Sequence, residues 1–300
     1  MMMSTESYLD RPDSQQPLVS VILPFLNGGP AFGAALRSIQ RQTYQHWELL
    51  LCDDGSDDGS LELARSLADP RVKVWSDGRR LGLAARLNEC LDRAAGELIA
   101  RMDADDISYP DRIARQVAFL QAHPDVDVAG CPMLIFGEDG TALGKRPAPL
   151  QHERIVADPA LGFGLAHPTW MARAAWYRQH RYDPTAIRFE DIELLYRAYR
   201  TSRFANLPDL LYGYREMRGG FSKRLKTRMG RIRYLRLRRQ AVGFGLVARA
   251  TAAELVKTAS DAVLAAAGAR YAMLRLREEH LSEQDLQVWN GIVAAAGVKA

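Results

Sequence analysis

The sequence predicts an α/β protein built on a doubly wound, mainly parallel sheet, followed by a mixed α+β half and a C-terminal helical extension. Short apolar runs of strand length alternate with segments whose apolar residues recur at helical spacing, from residue 18 to residue 122. The runs are continuously apolar, which is typical of parallel strands covered by helices on both faces. With 300 residues, of which 47% are apolar, the chain can bury a core of this size.

The first half of the chain supplies four strand-like runs. The predicted strands are residues 19–23, 47–52, 72–75 and 98–102. Polar or glycine-containing loops follow three of them, at residues 24–29, 53–59 and 103–106. Because doubly wound sheets bind ligands beyond the carboxyl ends of their strands, we expect these three loops to meet in one cleft.

The pattern changes after His123-Pro124. The segment before this break is typical of a helix with Pro110 at its first position, where proline is favoured. Residues 126–135 predict one or two strands, and Glu138-Asp139-Gly140-Thr141 is typical of a hairpin turn. The second half is therefore predicted to contain strands of mixed direction.

These patterns divide the chain into three regions. Residues 1–17 are polar and lack an apolar run, so we expect a flexible tail and not a signal peptide. Residues 18–222 form the main domain, with halves at 18–122 and 123–222. Residues 223–300 form a basic helical extension.

Cysteine usage and hydropathy restrict the cellular setting. Cys52, Cys90 and Cys131 are widely spaced and odd in number, which fits neither a disulfide framework nor a zinc cluster. No apolar run approaches the roughly 18 residues that a membrane-spanning helix needs. We therefore expect a reducing, cytoplasmic location.

Three carboxylates lie together after the fourth predicted strand, in Asp103-Ala104-Asp105-Asp106. Like charges this close raise one another's pKa, whereas a divalent cation removes the repulsion and leaves positions for phosphate oxygens. Aspartates also begin many helices, which is the alternative interpretation. Because the cluster ends a strand and a second acidic loop lies at Asp53 and Asp54, we favour a Mg²⁺ or Mn²⁺ site at Asp103, Asp105 and Asp106.

Two further acidic pairs have alternative interpretations. Asp53-Asp54-Gly55-Ser56 is either a solvated turn or a place where a buried carboxylate accepts the imide hydrogen of a uracil ring. Glu190-Asp191 begins an apolar helix, where acids interact favourably with the helix dipole. One of these acids would also serve as the base that an attacking hydroxyl needs near neutral pH, and we predict Asp191.

In chain order, four segments resemble the pattern of glycosyltransferase family 2. They are Val19-Ser20-Val21-Ile22-Leu23-Pro24, Asp53-Asp54-Gly55-Ser56, Asp103-Ala104-Asp105-Asp106 with Pro110-Asp111-Arg112, and Glu190-Asp191. The resemblance covers residues 18–222 and implies a GT-A fold, with a nucleotide-sugar half at 18–122 and an acceptor half at 123–222. It implies an inverting glycosyltransferase that moves a sugar from a nucleoside diphosphate, with UDP preferred, to a hydroxyl of a glycan or lipid-linked acceptor. The implied setting is exopolysaccharide, lipopolysaccharide or cell-envelope glycan assembly.

The resemblance also implies roles for individual residues. Asp191 is similar in position to the family's general base, with Glu190 beside it, and Asp105 is the implied direct metal ligand. His167, in a segment that recurs in the family, is either near the acceptor or a buried structural histidine. The implied nucleotide-sugar contacts are Pro24, Asn27, Asp53, Asp54, Arg80, Asp103 and Arg215.

Two of these contacts are departures from the family pattern. Arg80-Leu81-Gly82 stands where relatives often carry Asn-x-Gly, so a base or ribose contact differs there. Tyr214-Arg215-Glu216-Met217 stands where many carry Tyr-Arg-x-His, which leaves Arg215 as the candidate for a diphosphate contact.

Nine basic residues and no acid lie between Lys223 and Arg239. Interleaved with apolar residues, they predict either an amphipathic helix on the anionic inner face of the plasma membrane or a solvated helix face packed on the main domain. The segment lacks a nucleic-acid recognition module, so we expect no such partner. A non-catalytic scaffold of the same fold, docked at the membrane through this segment, is the alternative function.

Overall fold

The computed structural model describes residues 16–216, 221–237, 243–266 and 279–298. Most of the predicted tail, residues 1–15, lies outside this range. The strands are β1 (Val19–Phe25), β2 (Trp47–Asp53), β3 (Val72–Ser76), β4 (Leu98–Arg101), β5 (Ile107–Ser108), β6 (Val128–Gly130), β7 (Met133–Phe136), β8 (Ala142–Arg146), β9 (Met171–Arg173), β10 (Phe204–Asn206) and β11 (Tyr212–Arg215). The helices are α1 (Gly29–Gln40), α2 (Ser60–Arg65), α3 (Leu83–Arg93), α4 (Arg112–Ala122), α5 (His152–Ile155), α6 (Ala174–Gln179), α7 (Glu190–Ala198), α8 (Phe221–Leu237), α9 (Phe244–Ala266) and α10 (Glu283–Ala296), with a 3₁₀ turn at His167–Thr169.

A seven-stranded sheet in the order β10-β6-β9-β4-β1-β2-β3 forms the centre of the molecule. Strands β4, β1, β2 and β3 are parallel, which confirms the arrangement predicted for the first half. Strand β9 runs antiparallel to both of its neighbours, β4 and β6. The second half of the chain therefore extends the same sheet.

Three of the four predicted strands, β1, β2 and β4, are buried on both faces, as their continuous apolar pattern indicates, whereas the edge strand β3 is only partly buried. On one face, Val21 and Leu49 pack with the apolar side of α1 and α4. On the other face, Ile22 and Leu50 pack with residues of α3, α6 and α7. The alternation of neighbouring residues between the two clusters is the period of two that a strand imposes.

A smaller sheet in the order β5-β11-β7-β8 lies beside the acidic loop. Strands β7 and β8 form the predicted antiparallel hairpin. Its turn closes with a hydrogen bond from the Gly137 N–H to the Thr141 carbonyl, 2.9 Å, and has Gly140 at φ 83°, a conformation that favours glycine. Strand β5 follows Asp106 and pairs with β11, so this sheet fixes the chain directly after the acidic motif.

The prediction that Pro110 occupies the first helical position is wrong. Helix α4 begins at Arg112, with Asp111 at its N-cap. Pro110 lies in the connection between β5 and α4, and its carbonyl accepts a hydrogen bond from the N–H of Thr43, in the segment after α1, at 2.8 Å.

The last described helix, α10, packs against the small sheet. Trp289 is fully buried, its ring lies 4.8 Å from that of Phe136, and its indole N–H donates to the Gly140 carbonyl at 2.9 Å. Arg37 of α1 donates to the Ala296 carbonyl at 2.8 Å. The end of the described chain is therefore part of the packing around the small sheet.

Helices α8 and α9 pair with each other through charged side chains. Arg231 forms an ion pair with Glu254 at 2.6 Å and donates to the Tyr196 hydroxyl of α7 at 2.6 Å. Arg228 forms an ion pair with Asp261 at 2.9 Å. Two members of the basic run thus face inward. Arg238 and Arg239, together with the side chains of Lys223 and Arg224, lie outside the described residues.

No helix in the described part of the chain is long and apolar enough to cross a membrane.

Candidate active site

The sheet brings the predicted loops to one edge. Phe25 is in register with Asp53 on β2, and Ile22 is in register with Arg101 on β4. Because β1, β2 and β4 are parallel, the loops that follow them leave the sheet on the same side. The segments that begin at residues 26, 54 and 102 therefore border a common region.

Asn27 ties the first two of these loops together. Its side-chain amide donates to Asp57 at 2.8 Å, and its carbonyl oxygen accepts from the Asp57 N–H at 2.9 Å. Its backbone, at φ 50°, donates to the Ser56 hydroxyl at 2.9 Å. Arg80 reaches the same Asp57 at 3.2 Å and stays exposed. Pro24 is buried in β1 directly before this loop.

Asp53 fixes the turn that follows β2. Its carboxylate accepts hydrogen bonds from the Ser56 N–H at 2.9 Å and the Ser76 hydroxyl at 2.6 Å. Burial alone would raise its pKa, but the hydrogen bonds from Ser56 and Ser76 outweigh burial and hold the pKa below its ordinary value. Asp53 is thus an ionised anchor of the loop.

Asp54 holds the loop that leads into α3. It accepts from the Leu81 N–H at 2.7 Å, from the Gly82 N–H at 3.1 Å and from the Arg86 side chain at 3.0 Å. Arg86 is fully buried and also forms ion pairs with Asp77 and with Glu89 at 2.7 Å. One guanidinium thus joins the β2 loop, the β3 loop and α3.

The acidic motif after β4 is asymmetric. Asp103 forms an ion pair with the buried Arg101 and remains partly exposed. Asp106 is buried, accepts from the Arg215 N–H at 2.8 Å through Oδ1, and has no partner at Oδ2 among the described residues. Burial raises the pKa of Asp105 and raises that of Asp106 well above its usual range, and the neighbouring carboxylate of Asp103 adds to both shifts.

Arg215 holds the backbone of the acidic motif through hydrogen bonds. Its side chain donates to the Asp105 carbonyl and to the Glu138 carbonyl, both at 2.9 Å, and the residue is 6% exposed. Its described contacts therefore fix the backbone of the acidic loop against the β7–β8 hairpin.

Glu190 and Asp191 lie at the start of α7 and share electrostatic surroundings with the acidic motif. Burial raises the pKa of Glu190 to about 7, with the charge of Asp191 as the next cause. Burial also raises the pKa of Asp191, which Arg101 lowers and Asp103 raises. The same two residues act on the pKa of Glu190 in the same directions. Strand β4, which leads into the acidic motif, packs with α7 in one apolar cluster that contains Ile99 and Leu194.

His167 is buried beside this region. Its Nε2 lies 2.8 Å from the Tyr182 hydroxyl, and its ring packs against that of Trp170 at 4.7 Å. Burial lowers the pKa of His167 well below its usual range, and the charge of Arg101 lowers it further. His167 is therefore neutral, and its described contacts are those of a packed side chain.

The donor set after β4 fits a divalent cation that is shared with a substrate. Asp103 and Asp105 carry hard carboxylate oxygens and are partly exposed, and the unpartnered Oδ2 of Asp106 is buried. Within the described ranges, no group of three or more His, Cys, Asp or Glu side chains is arranged to hold a metal by itself. Mg²⁺ and Mn²⁺ are commonly bound by one or two carboxylates together with substrate phosphates. A site that is incomplete without substrate is therefore consistent with these carboxylates as cation ligands.

Two buried arginines of the site were not predicted from the sequence. Arg101 ends an otherwise apolar strand, and Arg86 lies on the apolar side of α3. A charged residue inside a buried apolar pattern needs a partner of opposite charge. The two arginines in these patterns were therefore a sequence signal for buried ion pairs with acids.

Comparisons with known proteins define the class to which this fold and site belong. The sequence model described as Glycosyl transferase family 2 matches residues 20–181. The chain belongs to glycosyltransferase family 2 and is an enzyme of that class, as the resemblance of its motifs implies.

Particular relatives add detail. The chain is 40% identical over 218 residues to the putative glycosyltransferase EpsE of Bacillus subtilis. This match covers 70% of this chain and 77% of that protein. It is 35% identical over 103 residues to WfgD of Escherichia coli, named as a UDP-Glc:alpha-D-GlcNAc-diphosphoundecaprenol beta-1,3-glucosyltransferase, covering 34% of this chain and 41% of that protein.

Among solved structures, the mannosyltransferase PcManGT from Pyrobaculum calidifontis, in complex with GDP-Man and Mn²⁺, matches with a TM-score of 0.59 and 19% identity. The match covers 98% of this chain and 91% of that one. At this identity the likeness concerns the fold, which is the predicted GT-A type.

Proposed function

We propose that the protein is an inverting glycosyltransferase that moves a sugar from a nucleoside diphosphate, preferably UDP, to a hydroxyl of a glycan or lipid-linked acceptor. One observation carries this proposal: β4, which leads into Asp103 to Asp106 and ends at the buried Arg101, packs on one face against α7, the helix that begins with Glu190-Asp191. Transfer requires these two kinds of group together, because one must stabilise the leaving diphosphate and the other must accept the acceptor's proton.

In the proposed reaction, the acceptor oxygen attacks the anomeric carbon from the side opposite the diphosphate. The new C–O bond forms as the bond to the phosphate oxygen breaks, and the nucleoside diphosphate leaves with that electron pair. Asp191 takes the acceptor's hydroxyl proton, with Glu190 beside it. A bound Mg²⁺ or Mn²⁺, held by Asp105 and Asp103 with Asp106 behind, would neutralise negative charge on the diphosphate.

The nucleoside is proposed to lie over the loops after β1, β2 and β3. Asp54 acts there by fixing the backbone of Leu81 and Gly82, and Asp53 and Asn27 fix the facing turn. Arg80 is exposed at this rim and is proposed to contact the ribose or the diphosphate. Pro24 shapes the floor. Arg215 is proposed to act on the diphosphate through the Asp105 backbone that it holds.

A donor screen tests the proposal directly. The melting temperature is measured with UDP, GDP and dTDP, each with and without Mn²⁺, and transfer is then assayed with the matching nucleotide sugars. We expect stabilisation by UDP that increases with Mn²⁺, since a ligand that binds only the folded form raises its stability. If no nucleotide stabilises the protein and no donor is consumed, the proposal fails.

The alternative of a non-catalytic scaffold makes the opposite prediction for Asp191. We expect Asp191→Asn to lower kcat by about 100-fold to 10,000-fold while UDP still binds, because only proton transfer is lost. The matched control is Asp125→Asn, an exposed aspartate paired with Arg203. In cells that depend on the gene for polysaccharide, unchanged output with Asp191→Asn would favour the scaffold.

We further propose that the acceptor is presented at an anionic membrane and that residues 223–239 meet this surface. The support is that Lys226, Arg233 and Arg236 of α8 are exposed while Arg228 and Arg231 are engaged inside. Each exposed basic residue would add on the order of 1 kcal/mol near such a surface. WfgD, by its name, acts on a diphosphoundecaprenol acceptor, which is a lipid.

Vesicle sedimentation tests the membrane contact. We expect binding to vesicles with about 30 mol% of the anionic lipid phosphatidylglycerol, because basic residues are attracted to a negative surface, and none to pure phosphatidylcholine. The triple change Lys226→Glu, Arg233→Glu and Arg236→Glu should abolish binding without loss of stability. Equal binding by the wild type and the triple variant would contradict the proposal.

A further inference from the structure

The guanidinium of Arg101 is the least satisfied charged group of the site. The residue is 3% exposed, and its side chain forms an ion pair with the carboxylate of Asp103. Among the described residues, no group accepts a hydrogen bond from its Nε or its Nη1. Buried N–H groups without partners are rare in native proteins. The two free N–H groups of Arg101 therefore indicate a partner that is bound during function.

The backbone around Arg101 is fixed, so its side chain has a defined direction. The Arg101 N–H donates to the Trp170 carbonyl at 2.8 Å, and its own carbonyl accepts from Arg112 at 2.8 Å. Side chains alternate along β4, so Arg101 faces the same side of the sheet as Ile99. That side packs against α7, whose first residues are Glu190 and Asp191.

Arg101 therefore contacts the acidic motif of β4 and faces the side of the sheet that packs against α7. Its charge lowers the pKa of Glu190 and of Asp191, against the larger effect of burial, and adds to the effect of burial in lowering the pKa of His167. A positive charge in this place offsets the repulsion between carboxylates that would otherwise separate the motifs or protonate them.

We propose that Arg101 is a positioning residue of the transfer reaction: fixed by Asp103, it holds the acidic motif of β4 and the Glu190-Asp191 pair in working alignment, with its free N–H groups available to the oxygens of these acids. This inference rests on the proposed function. It assigns Arg101 no proton transfer and no metal contact, only the orientation of groups that make them.

A comparison of variants separates positioning from support of the fold. Arg101→Met removes the charge and the donors at similar volume, and Arg101→Lys keeps the charge but loses the planar fork. The control is Arg173→Lys on β9. Arg173 pairs with Leu98 at the other end of β4 and donates to the carbonyls of Val126, Leu120 and His123, so it supports the fold away from the site.

Kinetics supply the first readout. We expect Arg101→Met to lower kcat by about 100-fold or more with the donor KM within about threefold, and Arg101→Lys to lower kcat by about tenfold. Arg173→Lys should lower the melting temperature with kcat within about twofold. The proposal is overturned if Arg101→Met keeps kcat within about fivefold, or if Arg173→Lys loses as much. If the methionine variant does not fold, a lysine variant with wild-type kcat overturns it.

The second readout needs no turnover. Without Arg101, Asp103 lacks its counter-charge, so Mn²⁺ alone should raise the melting temperature of Arg101→Met more than that of the wild type. An equal or smaller Mn²⁺ shift overturns the proposal. A wild type without transferase activity would contradict the proposed function instead, and this metal readout would still test Arg101.

Discussion

Single side chains in this site are governed by burial. Glu190, Asp191, Asp105 and Asp106 all have raised pKa values, and in each case the loss of water is the largest cause. A carboxyl group in such surroundings is a stronger base than in water, which suits the acceptance of a hydroxyl proton. The same burial costs stability, because the folded protein resists ionisation that the unfolded chain allows.

Glu190 offers a measurable case of this cost. Its pKa rises from 4.5 to about 7 on folding, so its contribution opposes folding increasingly as pH rises from about 4.5 to about 7, and the full penalty persists above that. We expect Glu190→Gln to be more stable than the wild type at pH 8, by at most about 3 kcal/mol, and to match it near pH 4. Urea denaturation at the two pH values checks this.

The control for this measurement is Glu62→Gln, since Glu62 is exposed on α2. It should leave the pH dependence of stability unchanged. A Glu190→Gln variant with the wild-type pH dependence would show that the carboxyl group is not desolvated in the folded protein.

Among the secondary-structure elements, α3 and the loops after β2 and β3 depend on one arginine. Arg86 is fully buried and forms ion pairs with Asp54, Asp77 and Glu89. Removing one member of a buried charge network leaves the others uncompensated, which typically costs about 3–5 kcal/mol. We therefore expect Arg86→Met to lower the free energy of unfolding by that amount and to weaken UDP binding with it.

Arg93→Met is the matched control, because Arg93 also pairs with Glu89 but is exposed. Its effect on unfolding should stay below about 1 kcal/mol. Equal losses from the two substitutions, measured by denaturant titration, would contradict the central place of Arg86.

Helix α10 is expected to stabilise the small sheet through Trp289. The indole packs against the rings of Tyr109 and Phe136. It also lies directly over Gly213, where an added Cβ would be 2.4 Å from the ring. Truncation of a buried tryptophan to alanine typically costs about 3–5 kcal/mol. We expect that loss for Trp289→Ala in thermal or chemical unfolding, and only a small one for Val288→Ala, whose side chain is 47% exposed. Similar losses of unfolding free energy in the two variants would mean that the packing of Trp289 does not hold α10 on the small sheet.

For the molecule as a whole, the sequence was most informative where the pattern was local. The four parallel strands, the β7–β8 hairpin and the acidic loops at strand ends follow from continuous apolar runs and turn residues, and the structure agrees with them. Strands β9, β10 and β11 were not predicted, because each has only three or four residues and is defined by pairing with distant segments.

The same limit applies to the site. The acidic residues could be named from their motifs, but the partners of Arg101, Arg86 and Arg215 depend on which loops meet in space. The basic run illustrates the difference: its composition predicts a charged surface, while the side chains of Arg228 and Arg231 face Asp261 and Glu254 on α9. Residue type indicates chemistry, and tertiary packing decides the partner.

The proposed reaction requires that the carboxylates after β4 bind a diphosphate through a divalent cation while Asp191 serves a separate step. Isothermal titration of UDP, with and without Mn²⁺, into the wild type, Asp105→Asn and Asp191→Asn tests it most directly. We expect Mn²⁺-dependent binding of UDP by the wild type and by Asp191→Asn, and loss of this binding in Asp105→Asn. UDP affinity that is the same in all three proteins and indifferent to Mn²⁺ would contradict it.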